Sequence, residues 1–346
     1  MNLFSGCYTA LVTPMRDSTV DYDGLGRLLD FQAQSRTSGV VMVGTTGESP
    51  TLSWDEHMTV IERALNSGGE RFLVVAGTGS NSTEEALEAT KKSSDLGAKA
   101  ALLVDPYYNG PSSIEIRKEH YEYIARNVPG MQLIPYVIPG RTGTQIMPQD
   151  LAILHETCRN VNAVKEATGD FDNARLTRRL CGDKFDILSG DDDRTYELMT
   201  MNDIRACGVI SVVSNIAPKA VHEMCESILD GQLEKASRFA EALKPLFQTV
   251  TVKTDETTTQ GTVPCKARNP LPCKTLMNII GMPAGPCRAP LGKMTRKGVE
   301  LLLEKARAVY KNNPEILQPV EEFFDVDLQK RLYEDRYWRD LRYETY

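Results

Sequence analysis

RFLVVAGTGSNSTEEALEATKKSSDLGAKAALLVDP, residues 71–106, holds a complete strand–helix–strand unit. RFLVVAGTG is a near-continuous apolar run, the pattern of a strand buried on both faces. Ser82 or Thr83 can cap the helix that follows, and Gly97 can end it after Leu96. AALLVDP then returns as a second buried strand. The same rhythm extends in both directions. GCYTALVTP (6–14) and GVVMVGT (39–45) precede the unit, and MQLIPYVIP (131–139), VNAVKEAT (161–168), FDILSGD (185–191) and ACGVISVV (206–213) follow it. Helical stretches lie between them; Ser53 and Glu56 have the spacing of a capping box. Eight strand–helix units over residues 1–230 predict an α/β fold, a closed (β/α)8 TIM barrel rather than an open doubly wound sheet. GTGSNS (77–82) lacks a third glycine and follows the third strand, which argues against a dinucleotide-binding turn.

Residues 231–310 read as a C-terminal helical appendage. GQLEKASRFAEALKPLFQTV (231–250), NPLPCKTLMNIIG (269–281) and TRKGVELLLEKARAVYKN (295–312) are its three helices, and the polar TDETTTQG, Thr254 to Gly261, is expected as a loop. Residues 311–346 form an aromatic- and charge-rich extension. Leu328, Leu332, Tyr337 or Trp338, and Leu341 fall near helical spacing. Two readings stand: an amphipathic helix on its own barrel, or a contact between subunits, where tyrosine, tryptophan and arginine are favoured.

The 346 residues carry a formal charge of −7, which argues against a general nucleic-acid binder. No stretch is long and apolar enough to suggest a membrane span, and MNLFSGCYTALVTPM lacks the layout of a signal peptide. Eight scattered cysteines with no C-x-x-C pair, and four histidines without ligand spacing, predict reduced cytoplasmic thiols and no metal site.

In such a barrel, functional groups gather where the strands end. Lys165 follows VNAV and so lies on an interior strand, where desolvation would lower its pKa and leave a nucleophilic amine suited to a Schiff base. Glu166 should face the other way, because neighbours on a strand alternate. Tyr136 ends the preceding strand and could carry protons to the lysine adduct. Thr45 and Thr46 sit in a glycine-bounded turn able to grip a small carboxylate, and Arg141 offers a fork for a second one. Each residue also has a plain structural reading, as core tyrosine, turn threonine, solvated arginine or paired lysine.

Together, GTTGES (44–49), PYYN (106–109), PYVIPGRTG (135–143) and KEATGD (165–170) resemble the dihydrodipicolinate synthase and N-acetylneuraminate lyase superfamily of pyruvate-dependent class I aldolases, over roughly residues 3–308. GTTGE and the arginine of GRTG favour the dihydrodipicolinate synthase branch. The resemblance implies an imine between pyruvate and Lys165, and a proton relay of Tyr136, Thr45 and Tyr108, with Tyr108 serving a neighbouring subunit. Thr46 would bind the pyruvate carboxylate and Arg141 the carboxylate of L-aspartate 4-semialdehyde, with Gly190 and Ile210 lining the pocket. No metal or organic cofactor is implied, since the lysine is the electron sink. A homotetramer follows from the family pattern. So does feedback inhibition by L-lysine, with Ser49, Pro50, Trp54, His57, Asn81, Glu85 and Tyr107 as the matching positions.

Two other readings remain on this evidence. A sister aldolase acting on sugar acids would not need Arg141, and a small-acid or lysine sensor would not need the relay. The chain departs from the family pattern at Val137, where asparagine is usual, and in the extension beyond residue 310.

Overall fold

The computed structural model of the chain describes residues 3–68 and 71–346. Eight parallel strands close the expected barrel: β1 Gly6–Ala10, β2 Gly39–Met42, β3 Leu73–Gly77, β4 Ala100–Val104, β5 Gln132–Val137, β6 Ala163–Glu166, β7 Asp186–Ser189 and β8 Gly208–Ser211. Each pairs with the next in chain order, and β8 returns to β1 with Ile210 beside Tyr8. Tyr8, Val41, Val75, Leu102, Ile134 and Tyr136 fill the interior, while Val40, Val74, Leu133, Val137 and Val164 pack outward beneath the helices. Burial on both faces is why these strands read as unbroken apolar runs. Val137 belongs to the outer layer, so its departure from the family pattern does not enter the barrel interior.

Helices α1 Tyr22–Gln34, α2 Trp54–Gly68, α3 Thr83–Asp95, α4 (113–127, with a π stretch Ile116–Glu122), α5 Pro148–Thr157, α6 Phe171–Cys181, α7 Thr195–Thr200 and α8 Pro218–Leu229 surround the strands. The capping box of α2 is formed: the Ser53 N–H donates to Glu56 Oε2 at 2.9 Å, and the Glu56 N–H to Ser53 Oγ at 3.2 Å. Ser82, not Thr83, caps α3 by accepting from the Glu85 N–H. Gly97 follows that helix at φ +98°, where a side chain would be strained.

The appendage holds α9 Leu233–Phe247, α10 Leu271–Ile279 and α11 Arg296–Asn312. Between α9 and α10 the expected loop at Thr254–Gly261 is instead the turn end of a hairpin, β9 Thr251–Thr258 and β10 Gly261–Arg268. Its residues are mostly exposed on both faces, so no apolar alternation marked it; the run of β-branched threonines was the available signal.

Nor is the extension one amphipathic helix. It breaks into α12 Gln318–Phe324, α13 Leu328–Tyr333 and short 3-10 turns, with Asp325 at φ +54° parting the two helices. It packs on its own chain. The Phe323 and Phe324 rings each lie 5.2 Å from Phe31 of α1. Arg331 donates to the Ile279 and Asn278 carbonyls at 2.8 and 3.1 Å, closing the end of α10. Val320, Phe324, Leu328 and Leu332 are buried there. Truncation after Lys311 should therefore uncover the apolar faces of α1, α10 and α11. We expect the thermal midpoint to fall by about 10 °C or more, as several buried side chains are worth about 1.5–3 kcal/mol each. A scanning calorimetry trace matching the full chain would refute this.

Among the described residues all eight cysteines are free, and no helix is long and apolar enough to cross a membrane.

Candidate active site

Tyr136 and Lys165 end adjacent strands as direct register partners. The Lys165 Nζ lies 4.1 Å from the centre of the Tyr136 ring, and both side chains are buried. Unlike Lys274, Lys165 has no carboxylate in ion-pair contact among the described residues. Burial pushes its amine down to about 8; Asp191 and Asp192 oppose that shift from a distance, and Arg141 adds to it. Glu166 turns outward as alternation requires, accepting from the Thr168 N–H at 2.8 Å and from Asn173 Nδ2 at 2.7 Å.

The space around the lysine is fixed by Gly190 and Ile210. A Cβ at position 190 would stand 2.6 Å from Ala167 Cβ and 3.1 Å from Lys165 Cε, so any side chain there would displace the lysine. Ile210 is fully buried beside the interior tyrosines.

Val43, at the end of β2, takes φ +49°, a rare state for a β-branched residue, and turns the chain into Thr45 and Thr46. The Thr45 side chain lies close enough to the Tyr136 phenol to favour its ionised form. Burial nevertheless raises that phenol to about 12, with Arg141 opposing, so it is a neutral proton donor near pH 7. Thr46 faces elsewhere: its Oγ1 accepts from Asn269 Nδ2 at 2.9 Å. Arg141 stands in the turn Pro139–Thr142, donating to the Asn269 carbonyl at 2.9 Å.

A cavity of about 190 Å³ joins Thr45, Tyr136, Arg141, Ser49, Pro50 and Tyr107. It is small beside pockets of about 300–1,000 Å³ that take drug-sized ligands, and it suits a molecule of few atoms. Tyr108 is not brought to it. That side chain is 92 % exposed at φ +71° and lines no part of the cavity. Among the described residues no group of three or more His, Cys, Asp or Glu could hold a metal ion.

The positions matched to a lysine site form two small clusters at the cavity mouth. His57 Nε2 meets Ser49 Oγ at 2.9 Å, and Trp54 stacks on His57 with ring centres 4.9 Å apart. Burial lowers the His57 imidazole to about 4, keeping it neutral. Asn81 Oδ1 accepts from the Tyr107 N–H at 2.8 Å, and Glu85 Oε2 accepts from Ser80 Oγ at 2.6 Å.

Sequence reasoning did not single out four other residues near the site. Asp192 accepts from Ser211 Oγ and from the Val212 and Val213 N–H groups, pinning the ends of β7 and β8; burial raises it to about 6. Its only sequence signal was its place in SGDD. Arg268, the last residue of the hairpin, and Asn269 just after it reach the turn that carries Arg141. Lys274 of α10 forms a buried ion pair with Glu48 at 2.5 Å, locking the turn that carries Thr45.

Residues 3–308 match the dihydrodipicolinate synthetase family. A 4-hydroxy-tetrahydrodipicolinate synthase of Pelobacter propionicus is 40% identical over 292 residues, covering 84% of this chain and 94% of the relative. The dihydrodipicolinate synthase of Cyanidioschyzon merolae, solved with lysine bound, superposes with a TM-score of 0.81 at 34% identity, covering 89% of this chain and 99% of that one. The chloride-inhibited enzyme of Acinetobacter baumannii, solved with pyruvate, gives 0.79 at 35% identity, covering 88% and 98%. With its eight-stranded barrel, its interior lysine and these relatives across most of its length, the chain belongs to the dihydrodipicolinate synthetase family.

Proposed function

We propose that the protein condenses pyruvate with L-aspartate 4-semialdehyde to give 4-hydroxy-tetrahydrodipicolinate, the entry to lysine and diaminopimelate synthesis. The observation that carries this reading is the buried Lys165 amine, free of any ion pair among the described residues and set against Tyr136. The neutral amine adds to the pyruvate ketone, and water leaves to form the imine. A methyl proton is then lost, giving an enamine whose carbon attacks the aldehyde. The Tyr136 phenol, with Thr45 beside it, gives the new alkoxide its proton. The amino group of the acceptor closes on the imine carbon and releases Lys165. Thr46, whose hydroxyl is held by Asn269, serves the pyruvate carboxylate through its backbone N–H, and Arg141 serves the carboxylate of the acceptor.

Tyr108 completes the relay of a second copy, which suits an exposed aromatic held at positive φ, and the assembly is a homotetramer. L-Lysine inhibits from the mouth, where Ser49, Trp54, His57, Asn81, Glu85 and Tyr107 gather. The protein works in the cytoplasm.

The test is turnover of pyruvate and L-aspartate 4-semialdehyde, coupled to a reductase that consumes the product, with and without L-lysine. Turnover suppressed by lysine is the expected result. Turnover indifferent to lysine removes the regulatory site alone. An imine with pyruvate but no condensation moves the reading to a sister aldolase.

A further inference from the structure

Two arginines clasp the turn beside Tyr136, and each is held by a carbonyl next to the other. Arg141 Nη2 donates to the Asn269 carbonyl at 2.9 Å. Arg268, the last residue of β10, donates from both terminal nitrogens to the Gly140 carbonyl at 3.2 and 3.3 Å. Both guanidinium charges are felt by the Tyr136 phenol. Neither arginine forms an ion pair with a carboxylate among the described residues. Two like charges held together in a half-covered site repel each other, and a clasp made of carbonyls does not neutralise them. Arg268 also lines a cavity of about 390 Å³ whose wall includes Gly190, the residue against Lys165. Lys253 and Lys266, direct partners across the hairpin, line it too. Asp191, Asp192 and Asp193 line the same cavity.

We propose that Arg268 is a specificity-determining residue: with Arg141 it forms a paired cation site for the carboxylate of the acceptor aldehyde, so the hairpin selects anionic acceptors. The proposal rests on the aldolase reading above and deepens it. The acceptor carboxylate supplies the negative charge that the two guanidinium groups lack, and Arg268 retains N–H donors beyond those on Gly140. Loading pyruvate on Lys165 needs no contact with Arg268.

The test compares the wild type with Arg268→Gln and Arg268→Lys. Arg268→Gln should raise the KM for L-aspartate 4-semialdehyde about tenfold, the scale of one charged hydrogen bond. Borohydride trapping of the pyruvate imine should proceed at the wild-type rate, and Arg268→Lys should recover part of the loss. A second readout uses two aldehydes of equal length, succinate semialdehyde and butyraldehyde. Neither has an amino group to displace the lysine, so after carbon–carbon bond formation release waits for water to hydrolyse the imine, and cyanoborohydride reduces the product imine on Lys165 for mass spectrometry to weigh. The wild type should favour the anionic aldehyde, and Arg268→Gln should erase most of that preference. An unchanged preference overturns the proposal. So does an equal loss with both aldehydes, or a loss of pyruvate trapping, which would mark Arg268 as structural or as a pyruvate contact. Should the wild type form the pyruvate imine yet fail with L-aspartate 4-semialdehyde, the substrate reading fails while the aldehyde pair still decides the role of Arg268.

Discussion

Lys165→Ala abolishes the borohydride-trapped pyruvate adduct and lowers turnover by about three orders of magnitude or more, the expected scale when a covalent nucleophile is lost. The fold should survive, because the ammonium it removes has no ion-pair partner among the described residues whose charge would be stranded. The pH dependence is the sharper part of the prediction. Burial lowers the amine from 10.5 to about 8, so at pH 7 the neutral form is about 300 times more abundant than for an unshifted lysine. The sign is that of a base: protonation below the folded pKa removes the nucleophile. Trapping rates at saturating borohydride should rise about tenfold per pH unit up to pH 8 and level off above it. A profile still climbing at pH 10 would mean that the amine is solvated and not buried as the structure places it.

The second large effect concerns stability. Lys274→Met should cost about 3–5 kcal/mol, because it strands the Glu48 carboxylate in the interior. Both side chains are essentially inaccessible, at 0% and 1%. Lys274 also donates to the Thr13 and Pro286 carbonyls, which lose their donor as well. Glu48 accepts in addition from the Arg288 N–H at 2.7 Å, so that loop should loosen too. Urea titrations of Lys274→Met, Glu48→Gln and the double variant measure the coupling; the double variant should lose less than the two singles added. A single-variant loss under about 1 kcal/mol would show that water reaches the pair. Activity should fall with stability in Lys274→Met, since Glu48 stands in the turn that aims Thr45 at Tyr136.

What the sequence disclosed follows the range of the interactions involved. Eight strands were legible because both faces of each are buried, which writes an apolar run into five or six neighbouring residues. The caps at Ser53 and Ser82 were legible because the groups they join lie three residues apart. Lys165 and Tyr136 were legible as strand ends, and the alternation that placed Glu166 outward also placed Val137 outward. The hairpin was missed because almost nothing on it is buried. The extension was misread because near-helical spacing of its apolar residues concealed a break at Asp325. The Lys274–Glu48 pair spans 226 residues, and no local pattern distinguishes such a lysine from a solvated one.

The ring of strands also sets an order of events during synthesis. β1 leaves the ribosome early, yet one neighbour is β8, and Asn215 must reach back 205 residues to bond the Ala10 carbonyl. The Phe31 face of α1 waits longer still, for Phe323 and Phe324, about 290 residues downstream. At about 5–20 residues per second, that face stays uncovered for tens of seconds in every nascent chain. The chain is therefore most dependent on chaperones before residues 311–346 arrive, and a ribosome stalled there would hold a full set of barrel strands with an exposed aromatic patch.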